Sequence, residues 1–152
     1  MTGWHAVGWL LFLTGVANPI RTEAGERSAS VNYRLRCSGC HGEDGSGNEP
    51  ADIPNLRDYV GAFTRDDDGR TYLLHVPGVI NSNLSDSEIS AVLNYVVEEW
   101  AGRSLADEFI RFTPSEVTSR RSRSVKDIVL LRRQIVVRLN QSGVRTSKYP
   151  WP

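Results

Sequence analysis

The sequence lacks most of the motifs from which a function is ordinarily inferred. Its 18 Lys and Arg residues balance its 18 Asp and Glu residues, so no overall field attracts nucleic acid. It contains no Ser–His–Asp set, phosphate-binding glycine loop or nucleic-acid-binding motif. A hydrophobic content of 39% and a charged content of 24% are those of an ordinary globular chain, neither disordered nor membrane-embedded.

Long hydrophobic runs are also missing, apart from the stretch "AVGWLLFLTGVA" at Ala6–Ala17. This run is shorter than the roughly 20 apolar residues that a bilayer-spanning helix needs. It suits the hydrophobic region of a secretory leader cleaved after Ala17 or Ala24. Because "MTGWH" carries no Lys or Arg, an uncleaved anchor over roughly residues 3–20 is the alternative. We predict that residues 1–24 form a leader, or an N-terminal anchor, that exports the remainder to the periplasm.

Charge is distributed unevenly along the rest of the chain. Residues 26–100 contain 13 acidic and 6 basic side chains, which gives a net charge of −7. Residues 101–152 contain 4 acidic and 11 basic side chains, which gives +7. This asymmetry predicts two parts of different character, a domain at 26–100 and a basic extension at 101–152.

The only two cysteines, Cys37 and Cys40, lie in "YRLRCSGCHGEDGSG" and are followed by His41. A thioredoxin-like redox pair would need a βαβ context that this region lacks. Zinc would need four ligands, and the other histidines are only His5 and His75. A local disulfide would leave the adjacent His41 without a role.

C-x-x-C-H is the signature of covalent c-type haem attachment. On one helical turn, the thiols of Cys37 and Cys40 share a face, so each can join one vinyl group of a haem. His41 then supplies the proximal imidazole to the iron. The motif predicts one covalently bound haem c.

Residues 28–100, about half of the chain, resemble a small class I cytochrome c. The resemblance rests on the segment "SASVNYRLRCSGCH", the glycine-rich loop "GEDGSG", "IPNL", and "NLSDSEISAVLNYVVEEW". It implies an all-α cytochrome c-like haem domain, followed here by an additional C-terminal helical extension. It also implies that the Pro54 carbonyl accepts a hydrogen bond from the ring of His41 and orients it.

The last of these segments predicts a helix that shapes the haem crevice. Ser85 and Glu88 have the spacing of a capping box, so the helix should begin at Asp86. An apolar stripe follows at helical spacing, made of Ile89, Val92, Leu93 and Val96. The resemblance implies that this helix crosses the N-terminal one, with Tyr95 as the aromatic residue at the crossing.

Class I cytochromes usually place a methionine, often before a proline, on the far side of the haem. Here Val76–Pro77 occupies that place, and the one methionine is Met1, within the leader. His75 is adjacent and is a candidate distal iron ligand. However, a residue before proline is extended, and neighbouring side chains of an extended segment point to opposite faces. Three alternatives therefore stay open: ligation by His75, a five-coordinate or water-ligated iron, and ligation by Asn, Tyr or a foreign ligand.

Outside the haem motif, Asp66, Asp67 and Asp68 in "TRDDDGR" predict a solvated acidic turn without the spaced ligands of a calcium loop. "FIRFTPSEV" has a helix-opening pattern, and "SVKDIVLLRRQIVVRLN" predicts an amphipathic helix. Its apolar stripe at helical spacing is Val125, Ile128, Leu131, Ile135 and Leu139, and its arginines fall largely on other faces, at Arg132, Arg133 and Arg138. This helix is interpreted either as docked on the haem domain or as a basic arm for an acidic partner or anionic lipid.

The sequence therefore predicts a periplasmic electron-transfer protein rather than an enzyme. Its partner would be an exported dehydrogenase or another cytochrome, with no role for nucleic acid. Membrane-surface contact could involve the N-terminal segment or the basic C-terminal helix. The alternatives are a haem-based gas-binding or sensing protein with an open distal site, and a haem subunit of a larger oxidoreductase complex.

Overall fold

A computed structural model describes residues 26–148 together with Met1, so the predicted leader lies outside it except for that first residue. The helices are α1 (Ala29–Arg36), α2 (Ser38–His41), α3 (Asp67–His75), α4 (Pro77–Ile80), α5 (Asp86–Trp100), α6 (Pro114–Arg121) and α7 (Ile128–Gln141). Short 3-10 turns occur at Glu49–Ala51, Val60–Arg65 and Gly102–Ser104. Over 26–148 there is no β-strand, only an isolated bridge between Asn48 and Ile53. The predicted all-α fold is confirmed.

Helix α5 forms as the sequence predicts. Ser85 Oγ accepts a hydrogen bond from the Glu88 amide at 3.1 Å, and Glu88 Oε2 accepts one from the Ser85 amide at 3.0 Å. This capping box satisfies two amides that the first turn of a helix otherwise leaves without partners. The predicted apolar stripe is buried, at Ile89, Val92, Leu93 and Val96.

Helices α1 and α5 pack against each other through aromatic rings. The ring of Tyr33 lies 4.5 Å from that of Trp100 and 6.0 Å from that of Tyr95, centroid to centroid. These separations are in the range of favourable aromatic pairs. Tyr95 therefore lies at the helix contact, as the resemblance implies, and Trp100 completes a three-ring cluster.

Helix α3 begins within the acidic stretch, so Asp66–Asp68 form the start of a helix rather than the predicted turn, although Asp67 and Asp68 are exposed as predicted. Asp66 caps the helix by accepting a hydrogen bond from the Gly69 amide at 2.9 Å, and Asp67 and Asp68 form its first turn. Negative charge is favourable at a helix N-terminus. All three carboxylates also pair with arginines of the extension, which are more than 50 residues away in the chain. Within 26–148, no group of His, Cys, Asp and Glu side chains is arranged to hold a metal ion.

The helices of the extension are docked on the rest of the protein. Helix α6 packs on α3 and α5, and α7 packs on α3. Thr113 caps α6 by accepting from the Glu116 amide at 3.1 Å, and Asp127 caps α7, which begins at Ile128 rather than near Ser124. Ile135 and Leu139 are buried, as the predicted stripe requires.

Two polar contacts fix this docking. Glu116 accepts two hydrogen bonds from Arg70, at 2.7 and 2.6 Å, and a third from Arg120 at 2.7 Å. The buried amide of Asn94 donates to the Phe112 carbonyl at 2.9 Å and accepts from the Phe112 amide at 2.8 Å. Buried polar groups must find partners, so both contacts favour one arrangement of the extension. No helix within 26–148 has the length and apolarity needed to cross a bilayer.

Candidate functional site

The two cysteines lie on one helical turn at the junction of α1 and α2. Cys37 follows the last residue of α1, and its backbone dihedral angles are no longer helical. Its carbonyl accepts hydrogen bonds from the amides of Cys40 at 3.1 Å and His41 at 3.0 Å. Both thiols are free; Cys37 is half-buried and Cys40 is exposed. The arrangement is the one-turn spacing that double covalent attachment requires.

The Cys37 thiol is not activated as a nucleophile. Burial, helped by the nearby Cys40, raises the pKa of Cys37 to about 11. Redox-active cysteines have pKa values lowered below about 8.5, because the thiolate is the reacting species. The environment of Cys37 therefore argues against the thioredoxin-like alternative.

The imidazole of His41 is buried on one side and has an orphaned nitrogen. Its Nδ1 has no hydrogen-bond partner of regular geometry within the described part of the chain. Burial lowers the pKa of His41, and the facing carbonyl of Pro54 opposes this by raising it. The structure thus brings His41 and Pro54 together. A neutral ring with one nitrogen directed at a carbonyl is the form in which histidine binds a metal through its other nitrogen.

Two hydrogen bonds to backbone carbonyls, one at His41 and one at Gly42, hold the loop that follows His41. The His41 carbonyl accepts from the Gly47 amide at 2.9 Å, and the Gly42 carbonyl accepts from Tyr33 Oη at 2.6 Å. Gly45 has a positive φ of 72°, and a Cβ there would lie 2.8 Å from the Trp100 indole. The loop is therefore packed directly on the aromatic cluster of the α1–α5 contact.

Tyr33 contributes to the site although the sequence interpretation assigns it no role. Burial raises its pKa to about 12, with Cys37 as the next cause, so its hydroxyl remains a donor. A signal was available, because a tyrosine on the buried side of a helix usually finds a partner for its hydroxyl. The identity of that partner, Gly42, depends on the loop conformation, which the sequence pattern does not specify.

His75 lies at the end of α3 and does not have an open ring nitrogen. Its Nδ1 is 2.8 Å from the Thr71 carbonyl, and its Nε2 is 3.0 Å from the Arg123 carbonyl. Val76 is extended, as predicted for a residue before proline, with φ −63° and ψ 142°. Because a coordinating nitrogen must offer its lone pair, ligation through Nε2 would require release from Arg123.

Comparisons with known proteins agree with this geometry. A scan against protein-family models gives no match. The chain is similar to cytochrome c-552 of Thermus thermophilus, with 31% identity over 108 residues that cover 59% of this chain and 82% of the relative. A second cytochrome c-552, from a specified strain of Thermus thermophilus, is also 31% identical over 108 residues, and the match covers 72% of that relative. With an all-α fold and a C-x-x-C-H helix turn, this chain belongs to the class I-like c-type cytochromes.

Proposed function

We propose that this chain is a periplasmic cytochrome that carries single electrons through one covalently bound haem c. The observation that carries the proposal is the combination of two free thiols on one helical turn with a half-buried, neutral His41 beside them. The Pro54 carbonyl faces the ring of that histidine, and such an acceptor beside the imidazole is the feature that a proximal ligand needs.

Four residues would hold the haem. Cys37 and Cys40 would form thioether bonds with its two vinyl groups, and His41 Nε2 would ligate the iron. Pro54 would orient the imidazole through its carbonyl oxygen. When bound, the haem supplies an iron that alternates between the ferric and ferrous forms.

The protein itself holds the loop beside this site by packing and by a hydrogen bond. Trp100 lies against Gly45 of the loop that follows His41, and Tyr33 donates a hydrogen bond to Gly42. Iron ligands held in place change their geometry little between the ferric and ferrous forms. This suits a carrier that makes and breaks no bond to a substrate. We accordingly infer an electron carrier rather than an enzyme.

The arrangement of His75 favours a second candidate function, reversible binding of a gas at the distal side. With both ring nitrogens facing the carbonyls of Thr71 and Arg123, His75 does not itself offer a lone pair to the distal side of the iron. His75 becomes the distal ligand only in a state in which it has left Arg123. Access to the distal site then decides between electron transfer and ligand binding.

We further propose that residues 26–100 form the haem domain and residues 101–152 a basic extension. Residues 1–24 would act as the export leader or anchor, which places the domain in the periplasm. There its electron donor would be an exported dehydrogenase or another cytochrome. A role as the haem subunit of a larger oxidoreductase complex is the alternative, with the extension as the docking element.

The test is expression in a host with a competent haem-attachment system. The denatured protein should retain its haem colour and gain the mass of one haem, because thioether bonds survive unfolding. Replacing either Cys37 or Cys40 by serine should lower the yield of attached haem, and His41→Ala should leave poorly matured protein. Ser38→Ala, between the two thiols, is the matched control. Recovery of two free thiols in protein from that host would refute the proposal.

A further inference from the structure

A cavity of about 670 Å³ lies between α7 and the chain segment 144–148, away from the proposed haem site. Cys37, Cys40, His41 and Pro54 are not among its lining residues. Its wall carries four cationic side chains, Arg132, Arg133, Arg145 and Lys148. None of the lining residues within the described range is acidic, although acids and bases are equally numerous in the chain as a whole. The cavity is therefore a local concentration of positive charge.

Three of these cations differ from most other basic side chains of the extension in having no carboxylate partner within the described residues. Six arginines of the extension pair with carboxylates of the 26–100 domain: Arg103, Arg111, Arg120, Arg121, Arg123 and Arg138. By contrast, Arg133, Arg145 and Lys148 make no ion pair or side-chain hydrogen bond with any residue in the described range. All three are exposed and converge on the same cavity.

The fourth cation, Arg132, is a fixed part of the cavity wall. Only 6% of its surface is exposed, and its guanidinium donates to the Ser147 carbonyl at 3.1 Å. It also lies 4.9 Å over the ring of Phe63. A cation held in this way by an aromatic face and a carbonyl keeps its position without a ligand. Arg132 is therefore a fixed part of the wall, beside three exposed cations.

We propose that this cavity binds a small organic anion that carries at least two carboxylate or phosphate groups. Its volume falls within the range of about 300–1,000 Å³ typical of small-molecule sites. The guanidinium groups of Arg133 and Arg145 suit bidentate contacts with such oxyanions. Val129 and Val136 supply an apolar wall for the body of the molecule.

The test is calorimetric titration of the haem-loaded protein with citrate and, separately, with pyrophosphate. Sodium chloride holds the ionic strength constant, so that general screening does not mimic binding. We expect saturable binding of one molecule, with citrate tighter for a carboxylate site and pyrophosphate tighter for a phosphate site. Arg133→Gln and Arg145→Gln should each weaken binding roughly tenfold, because each removes a charged, bidentate donor.

Lys126→Gln is the matched control, since it removes another unpaired cation of the extension that does not line this cavity. It should change the affinity less than about twofold. An unchanged haem spectrum and melting temperature in all three variants shows that the fold is intact. Absence of saturation, or equal weakening by the control, overturns the proposal.

Two further outcomes would assign the cavity to another occupant and also overturn the proposal. In the first, neither anion binds, yet Arg145→Gln slows electron transfer to an acidic redox protein. In the second, either anion binds only after the chain is shortened beyond Lys148, which would assign the cavity to residues 149–152. Anion binding by the full-length protein excludes both.

Discussion

Tyr33 donates a hydrogen bond of 2.6 Å to the carbonyl oxygen of Gly42, the residue directly after His41. This bond connects the contact between α1 and α5 with the loop that follows the haem motif. The backbone of the proposed iron ligand is thereby anchored to the core through a side chain of the preceding helix. The same tyrosine packs 4.5 Å from Trp100, which lies under Gly45 of that loop.

Replacing Tyr33 by phenylalanine should destabilise the protein by about 1–2 kcal/mol, because the Gly42 carbonyl loses its buried donor while the ring packing remains. The measurement is the free energy of unfolding by denaturant. Tyr95→Phe is the matched control, because Tyr95 is in the same cluster and its hydroxyl makes no hydrogen bond to another described residue. Equal losses in the two variants would show that the hydroxyl of Tyr33 contributes nothing specific.

Gly45→Ala should destabilise the protein by at least about 2 kcal/mol. Its positive φ of 72° is unfavourable for alanine by roughly 1–2 kcal/mol, and the new Cβ would lie 2.8 Å from the Trp100 indole. Gly39→Ala is the control, because Gly39 is in α2 and a Cβ there meets nothing within 4 Å. That change should be neutral or stabilising, by up to about 1 kcal/mol. Thermal unfolding of both variants makes the comparison, and a tolerated Gly45→Ala would contradict the packing of this loop.

Acid should loosen the docking of the extension. Arg138 holds the pKa of Asp66 below its usual value, and Arg120 does the same for Asp67. A depressed folded-state pKa contributes stability that is complete above the unfolded value, about 3.9, and is lost as pH falls through the folded value. We therefore expect the free energy of unfolding to decrease progressively below about pH 4.

Asp66→Asn tests the origin of this pH dependence. Asparagine caps a helix as well as aspartate does, so the variant keeps the start of α3 and loses the titrating charge together with its ion pair to Arg138. The slope of stability against pH should become shallower in acid. Asp52→Asn, at an exposed loop position with a positive φ that asparagine tolerates, should leave the slope unchanged. An unaltered slope in Asp66→Asn would locate the acid sensitivity elsewhere.

The sixth ligand can be determined from one set of spectra. With His75 held by Thr71 and Arg123, the ferrous protein should be high-spin and bind carbon monoxide, and His75→Ala should leave the spin state unchanged. A low-spin spectrum in both oxidation states, converted to high-spin by His75→Ala, would instead identify His75 as the distal ligand. Neither case should show the methionine–iron charge-transfer band, because the one methionine is Met1.

The parts of the fold that could be predicted depend on local signals. The capping box at Ser85 and Glu88 and the buried stripe of α5 need only neighbouring residues, and the C-x-x-C-H turn needs only its own spacing. The arginine partners of Asp66–Asp68 could not be predicted, because they lie more than 50 residues away. No periodicity indicates which distant arginine a carboxylate will meet.

The contacts of two buried polar side chains, Arg132 and Asn94, could not be predicted from the sequence pattern either. The apolar stripe of α7 places Arg132 on the solvent side with its neighbouring arginine, but it is buried against Phe63 and Tyr72. Asn94 lies on the inner side of α5, and its role depends on Phe112, which belongs to the extension. Both contacts form between elements whose relative placement follows only from the assembled core.

The arginine pairs of the extension have a consequence for the molecule's dipole moment. Along the chain, a part with charge −7 precedes a part with charge +7, which would give a strongly polar particle if the two were held apart. Instead, six arginines lie directly on the acidic surface of the domain. In each of these pairs the opposite charges are in direct contact, so this part of the charge separation contributes little to the dipole moment. A partner's field would then act mainly on the charges outside these pairs, among them Arg133, Arg145 and Lys148.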